Sequence, residues 1–285
     1  MAEPDPSAPT LFELGALTSP PTATPFMDLE NPRYAYMFGF LQADGHLARG
    51  AGAKGALSVE LNARDIKILE EFQRLTPYNS TISRRTRSTN FAAVSHTAIW
   101  SLCALEARTK LSDLGLPYGR KSRRITPPRV SFSRPDYLRG LIDADGSVGF
   151  TRDGLPFVSL TTSSTAIALY LCHYTNRVLG IRKIPGRNKR DGAYNVVYLR
   201  EGAVALAQHL YTPDALALKR KQRAAVDVSA WERAAGAPPA RRVRTWTPLE
   251  DSILLSAASI EEAAIALDRT HQSCNLRRWR LTKKN

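Results

Sequence analysis

The 285-residue sequence has only three cysteines, Cys103, Cys172 and Cys274, far apart and without C-x-x-C or Cys/His ligand spacing. That argues against a zinc module or a disulfide framework and for a reducing compartment. No apolar run approaches the ~20 residues that a membrane-spanning helix needs. No segment has the make-up of a basic amphipathic helix that would lie on lipid. The first 32 residues hold five acids and no Lys or Arg. A transit peptide would be Arg-rich and acid-poor, and a secretory signal would open on a basic region. A cytoplasmic, nucleoid-associated protein of bacterial or phage origin is therefore expected. Residues 1–30, with prolines at 4, 6, 9, 20, 21 and 25, read as a disordered or extended arm.

What the chain has in excess is positive charge: 40 Lys and Arg against 26 Asp and Glu, net +14, with a pI near 10.0. The excess is confined to the rest of the chain, with 26 basic and 14 acidic residues over 33–215 and 14 and 7 over 216–285. A polyanionic partner such as nucleic acid follows from that balance.

Two stretches repeat one pattern. The first is Tyr36-Met37-Phe38-Gly39-Phe40-Leu41-Gln42-Ala43-Asp44-Gly45; the second is Tyr137-Leu138-Arg139-Gly140-Leu141-Ile142-Asp143-Ala144-Asp145-Gly146. A proline precedes each (Pro32, Pro135), suited to a first helical turn, and each ends on a glycine suited to a helix stop. Gly39 and Ala43 lie four apart on one helical face, as do Gly140 and Ala144, so the two helices can approach backbone to backbone. Asp44 and Asp145 would then meet at the foot of the pair. Helix C-termini carry partial negative charge, so each acid is disfavoured there by about 0.3–1 kcal/mol, and the two repel each other. An acid placed twice where two electrostatic effects oppose it implies a cation. An ordinary Asp-Gly turn would explain one copy but not a matched pair.

These residues resemble the LAGLIDADG homing endonucleases. Residues 138–146 depart from the name-giving nonapeptide only at Arg139, and the looser first copy keeps Gly39, Ala43, Asp44 and Gly45. The resemblance covers about residues 31–228 and implies a single chain with internal two-fold pseudo-symmetry, acting as a monomer on double-stranded DNA. It implies Mg²⁺ (or Mn²⁺) held by Asp44 and Asp145, with the carbonyls of Ala43 and Ala144 completing the shell. It also implies a solvent-polarising residue near the end of each fourth strand, where His96 or Thr97 and Arg200 stand in place of the expected lysines.

The intervening pattern is α-β-β-α-β-β-α, written twice. In the first half, strands are expected at 46–49, 57–61, 80–87 and 91–97, and helices at 66–75 and 98–107. In the second, strands are expected at 148–152, 157–161, 181–187 and 194–199, and helices at 165–179, 204–211 and 216–228. The expected fold is α+β: two tandem pseudo-symmetric αββαββα units with antiparallel, saddle-shaped sheets, plus a small all-α three-helix domain. The boundaries are a first half at 31–127, a second at 128–228, a linker at 229–244 and a terminal domain at 245–285. Antiparallel sheets with helices on one face leave the other free. Arg84, Arg85, Arg87, Arg182, Lys183, Arg187, Lys189 and Arg190 are expected to line that face, which in the resembled family lies in the DNA major groove.

Residues 245–285 resemble a Myb/SANT-like helix-turn-helix, through Thr245-Trp246-Thr247-Pro248-Leu249-Glu250-Asp251 and a last helix with Trp279. Leu276 and Trp279 are expected to pack with Trp246, leaving Gln272, Asn275, Arg277 and Arg278 for DNA. The functional expectation is a site-specific, metal-dependent double-strand DNA endonuclease with one carboxylate per half-site. The alternatives are a non-catalytic transcription regulator on the same fold and an intron RNA maturase.

Overall fold

The computed structural model describes residues 25–48, 54–89, 92–233 and 246–283. Residues 1–24 of the arm expected over 1–30, and 234–244 of the linker expected over 229–244, lie outside the described residues; residues 25–30 form turns that bury Met27 and Leu29 in the core instead of a loose arm. The chain divides into two compact units, Met1–Glu232 and Arg233–Asn285.

The larger unit is built on helices α1 (Pro32–Asp44) and α4 (Arg134–Asp145). The Asn31 side chain caps the start of α1 by accepting from the Arg33 amide at 2.9 Å, and prolines occupy the first turn of both helices. Neither helix is one-sidedly apolar. Every residue from Tyr34 to Gln42 is buried, and so is every residue from Tyr137 to Asp143, the pattern of helices enclosed by the core. They meet at their glycines. A Cβ on Gly39 would stand 2.2 Å from the Tyr137 carbonyl oxygen, and one on Gly140 would stand 2.2 Å from that of Tyr36. Two hydroxyls cross the seam reciprocally: Tyr36 donates to Asp143 at 2.7 Å and Tyr137 donates to Gln42 at 2.5 Å. Arg139, the departure from the nonapeptide, is 2% exposed. Its guanidinium donates to the Leu216 and Leu210 carbonyls at 2.8 and 2.7 Å and to Asp136, so its burial is satisfied.

Each motif helix opens a four-stranded antiparallel sheet. The first half contains β1 (His46–Leu47), β2 (Leu57–Asn62), α2 (Ile66–Leu75), β3 (Ser80–Thr89), β4 (Ala92–Leu102) and α3 (Leu105–Asp113), with sheet order β1-β2-β4-β3. The second contains β5 (Gly146–Phe150), β6 (Pro156–Thr162), α5 (Thr165–Leu179), β7 (Gly186–Arg187), β8 (Tyr194–Leu199), α6 (Glu201–Leu210) and α7 (Lys219–Ser229), with order β5-β6-β8-β7. The expected α+β duplication is present. In both sheets alternate residues face the helices: Leu57, Val59, Ala98, Trp100 and Leu102 in one, Val158, Leu160, Val196 and Tyr198 in the other, all buried. Phe72 of α2 meets Trp100 edge-on at 6.0 Å.

Two expected elements differ. Residues 98–107 were assigned to helix, yet β4 runs on to Leu102 and α3 begins at Leu105. The alternation of buried Ala98, Trp100 and Leu102 with Ile99 and Ser101 is a strand period, and Trp100 pairs with both Val59 and Ile82. Residues 181–187 were read as a strand, but only Gly186–Arg187 pairs with β8. Pro185 has no N–H for a ladder, and Arg182, Lys183 and Ile184 before it are exposed.

The smaller unit has three helices, α8 (Pro248–Ser256), α9 (Ile260–Ala266) and α10 (His271–Thr282). Thr247 and Glu250 form a reciprocal capping box on α8, and the Ser259 and Thr270 side chains cap the next two helices. Its core is Leu254, Ala263, Leu267 and Cys274. No helix among the described residues is long and apolar enough to cross a membrane.

The glycine seam gives a direct test. Gly39→Ala and Gly140→Ala should each destabilise the protein by about 1–3 kcal/mol, because the new methyl meets backbone rather than a movable side chain. Gly186→Ala, with nothing within 4 Å, should leave the urea midpoint unchanged. Equal midpoints for all three variants would contradict the close approach.

Candidate functional site: two carboxylates and two lysines

Asp44 and Asp145 end the paired helices, so the crossing that joins the glycines also brings the carboxylates together. Both side chains reach solvent, yet the surrounding protein withdraws water from them. That loss raises the pKa of Asp145 to about 6, with the Asp44 carboxylate adding to the rise and the Lys121 and Lys221 ammoniums opposing it. Asp44 is raised for the same first reason and opposed by the same lysines. The four groups therefore form one electrostatic cluster.

The lysines are held at the helix ends. Lys121, in the segment between α3 and α4, donates to the Gln42 carbonyl at 2.7 Å and to the Ala43 carbonyl. Lys221, in the first turn of α7, donates to the carbonyls of Ile142, Asp143 and Gly146, each at 2.7 Å. Each ammonium thus answers the negative end of a motif helix. Partial burial lowers both pKa values, that of Lys221 to about 8, against the pull of the nearby acids. Lys121 and Lys221 stand one hundred positions apart, nearly the interval between the aspartates.

Sequence reasoning named neither lysine; it expected His96 and Arg200, near the ends of the fourth strands, as solvent-polarising residues. The His96 ring instead shares a 3.0 Å hydrogen bond with Thr86 across the β3–β4 hairpin. Arg200 has φ 54° and stands at the start of α6. The ammoniums acting on the carboxylates are those of Lys121 and Lys221.

The expected basic face divides. In β3, Arg85 and Arg87 pair with Thr97 and Ser95 on the open face, and Arg87 reaches Glu60 at 3.2 Å. Arg84 is opposite buried Ala98 and so points to the helix side. In the second half Arg182 and Lys183 precede β7, Arg187 lies over the Tyr194 ring at 5.8 Å, and Lys189 and Arg190 are in the β7–β8 turn. The open face of the first sheet is mostly polar, with Ser58, Asn62, Ser83, Thr97 and Ser101; that of the second mixes Ser147, Ser159, Thr161 and Asn195 with Phe157, Val197 and Leu199.

On α10, Gln272 and Asn275 are exposed, Arg278 is half-buried, and Arg277 is engaged. Its guanidinium donates to Asp251 at 2.7 and 2.5 Å. Leu276 and Trp279, expected to pack on Trp246, are 48% and 52% exposed. Arg269 covers the Trp246 ring at 4.0 Å.

With this geometry in place, the relatives are informative. Residues 135–211 match the family model described as a LAGLIDADG-like domain, which covers α4 through α6. Among solved structures, the homing endonuclease I-WcaI bound to its DNA recognition sequence is similar, with 14% identity, 68% of this chain and 87% of that chain covered, and a TM-score of 0.50. The I-SmaMI LAGLIDADG homing endonuclease bound to cleaved DNA also matches, with 14% identity, coverage of 70% and 87%, and a TM-score of 0.46. No curated protein matches the sequence. The second half of the chain thus carries a LAGLIDADG-like domain, and the larger unit has the two-domain LAGLIDADG fold.

Because Asp145 binds its proton more tightly folded than unfolded, stability falls as pH rises from its ordinary value of 3.8 through about 6. Asp145→Asn removes this opposition. Without metal at pH 7.5 the variant should be more stable by about 1 kcal/mol, the two-unit shift being discounted because the side chain is exposed. The advantage should vanish below about pH 4. Urea midpoints in EDTA across that range check it; a variant less stable at pH 7.5 would contradict the repulsive cluster.

Proposed function

We propose that the chain is a site-specific double-strand DNA endonuclease that uses a divalent metal. The observation carrying this reading is the convergence of Asp44 and Asp145 at the foot of the helix pair, where each resists ionisation. The donors are hard oxygens, which suit Mg²⁺ or Mn²⁺. Among the described residues no group of three or more His, Cys, Asp or Glu could hold a metal. Two carboxylates are nevertheless what Mg²⁺ takes when substrate phosphate and water complete its shell. Of the two carbonyls expected as further ligands, that of Ala144 is the proposed one, because that of Ala43 accepts from the Lys121 ammonium.

The bound metal would neutralise the phosphate and lower the pKa of an attacking water. The chain's own groups do the rest. Asp44 and Asp145 supply one carboxylate to each half. Lys121 and Lys221 bring positive charge beside them, each fixed by backbone carbonyls. Lys221, its pKa lowered to about 8, uses its three N–H donors on backbone carbonyls and so acts on the carboxylates through its charge. The two open faces, carrying Ser, Thr and Asn with Arg85 and Arg87 at one edge, offer donors and acceptors to base edges and phosphates. The smaller unit is proposed to dock as a helix-turn-helix, with Gln272, Asn275 and Arg278 on α10 towards DNA.

A library of randomised duplexes incubated with Mg²⁺ should yield cut members that share one long motif, and none in EDTA. Asp44→Asn and Asp145→Asn should each abolish double-strand cutting while binding persists. Unchanged cutting by both variants would remove the mechanism, and metal-indifferent binding without cutting would favour a regulator. Truncation after Glu232 should weaken binding and flatten the dependence of log K on log salt, because the slope counts phosphate contacts. An unaltered slope would exclude the smaller unit from DNA contact.

A further inference from the structure

The paired motifs disagree at one buried polar position, two residues before each acid: Gln42 in the first, Asp143 in the second, both fully buried. We propose that these are positioning residues, each fixing the segment that delivers its own half's lysine to the carboxylate pair. Each is itself held by a tyrosine from the opposite helix. The catalytic consequence rests on the nuclease reading above; the geometry does not.

In the first half the lysine arrives on an irregular segment, and Gln42 fastens that segment at both ends. Its Nε2 donates to the Gly115 carbonyl at 2.9 Å and to the Thr126 carbonyl at 3.1 Å, with Lys121 midway between. In the second half the lysine arrives on a helix, and Asp143 fastens its start. The carboxylate accepts from the Leu218 amide at 2.6 Å, three residues before Lys221, and from the Tyr211 hydroxyl at 2.8 Å. The difference in side chain follows from what each segment offers. A segment presenting carbonyls needs an amide donor, and one presenting an N–H and a hydroxyl needs an acceptor.

An oxygen on each residue also accepts from the other half: Tyr137 donates to the Gln42 side-chain oxygen, and Tyr36 donates to the Asp143 Oδ2 that also accepts from the Leu218 amide. Each lysine's anchor is therefore wired to the helix bearing the opposite acid. A buried polar side chain that was merely satisfied would need neither the lysine-bearing partner nor the exchange across the seam.

The test reads each lysine separately in the full chain. Brief acylation with acetic anhydride, quantified by mass spectrometry, compares wild type with Gln42→Leu and Asp143→Asn. Tyr137→Phe and Tyr211→Phe are milder versions that remove single hydroxyls. Gln42→Leu should raise the reactivity of Lys121 several-fold and leave Lys221 as in wild type, and Asp143→Asn and Tyr211→Phe should do the reverse. Strand-resolved cutting should slow on one strand in the Gln42 variant and on the other in the Asp143 variant, by on the order of tenfold or more. Lysine-selective changes in a protein that cuts neither strand even as wild type would uphold the positioning and overturn the nuclease reading. Reactivity that rises equally at both lysines, or at neither, would overturn the positioning, and so would equal slowing of both strands.

Discussion

The contact between α1 and α4 is the constraint on which the larger unit depends. Side-chain-free backbone at Gly39 and Gly140 lets each helix lie against the other's tyrosine carbonyl. Once the helices cross there, their ends are brought close enough for the Asp44 charge to act on Asp145. The cost of that encounter is visible in their raised pKa values. It is offset in part by two ammoniums that the fold brings from outside the motifs. The site is thus an acid pair held together by packing remote from it, as a cation-binding centre requires.

Around this axis the halves are alike in topology and unlike in detail. The strand orders match position for position. The lysine comes from a connector in one half and from an added helix in the other, and the buried polar residue behind each acid differs accordingly. The outer strand is ten residues long in β3 but two in β7, so the basic side chains stand on a strand in one half and, Arg187 apart, on loops in the other.

Much of this was legible in the sequence. The matched motifs specify the helix pair, the shared foot and the acids, because glycine spacing and a helix-ending Asp-Gly have a short-range physical meaning. Helices over 66–75 and 165–179 and the strand over 194–199 were equally plain, since their periodicity is strong and their ends are marked. The lysines were not legible from local pattern. Lys121 reaches a carbonyl 78 positions away in sequence, and nothing beside it announces that; the interval separating it from Lys221, matched to that of the aspartates, was the available signal. Arg84 was grouped with Arg85 and Arg87, although a two-residue period sends it to the other face. Arg277 looked free because its partner, Asp251, is brought to it only by tertiary folding.

The central claim is that the two carboxylates share a divalent-metal centre. Anomalous diffraction from crystals of the full chain grown with Mn²⁺ and a short duplex tests it most directly. The account predicts density at the foot of α1 and α4, within coordination distance of Asp44 and Asp145. Carboxylates turned apart, with manganese bound elsewhere on the chain, would contradict it.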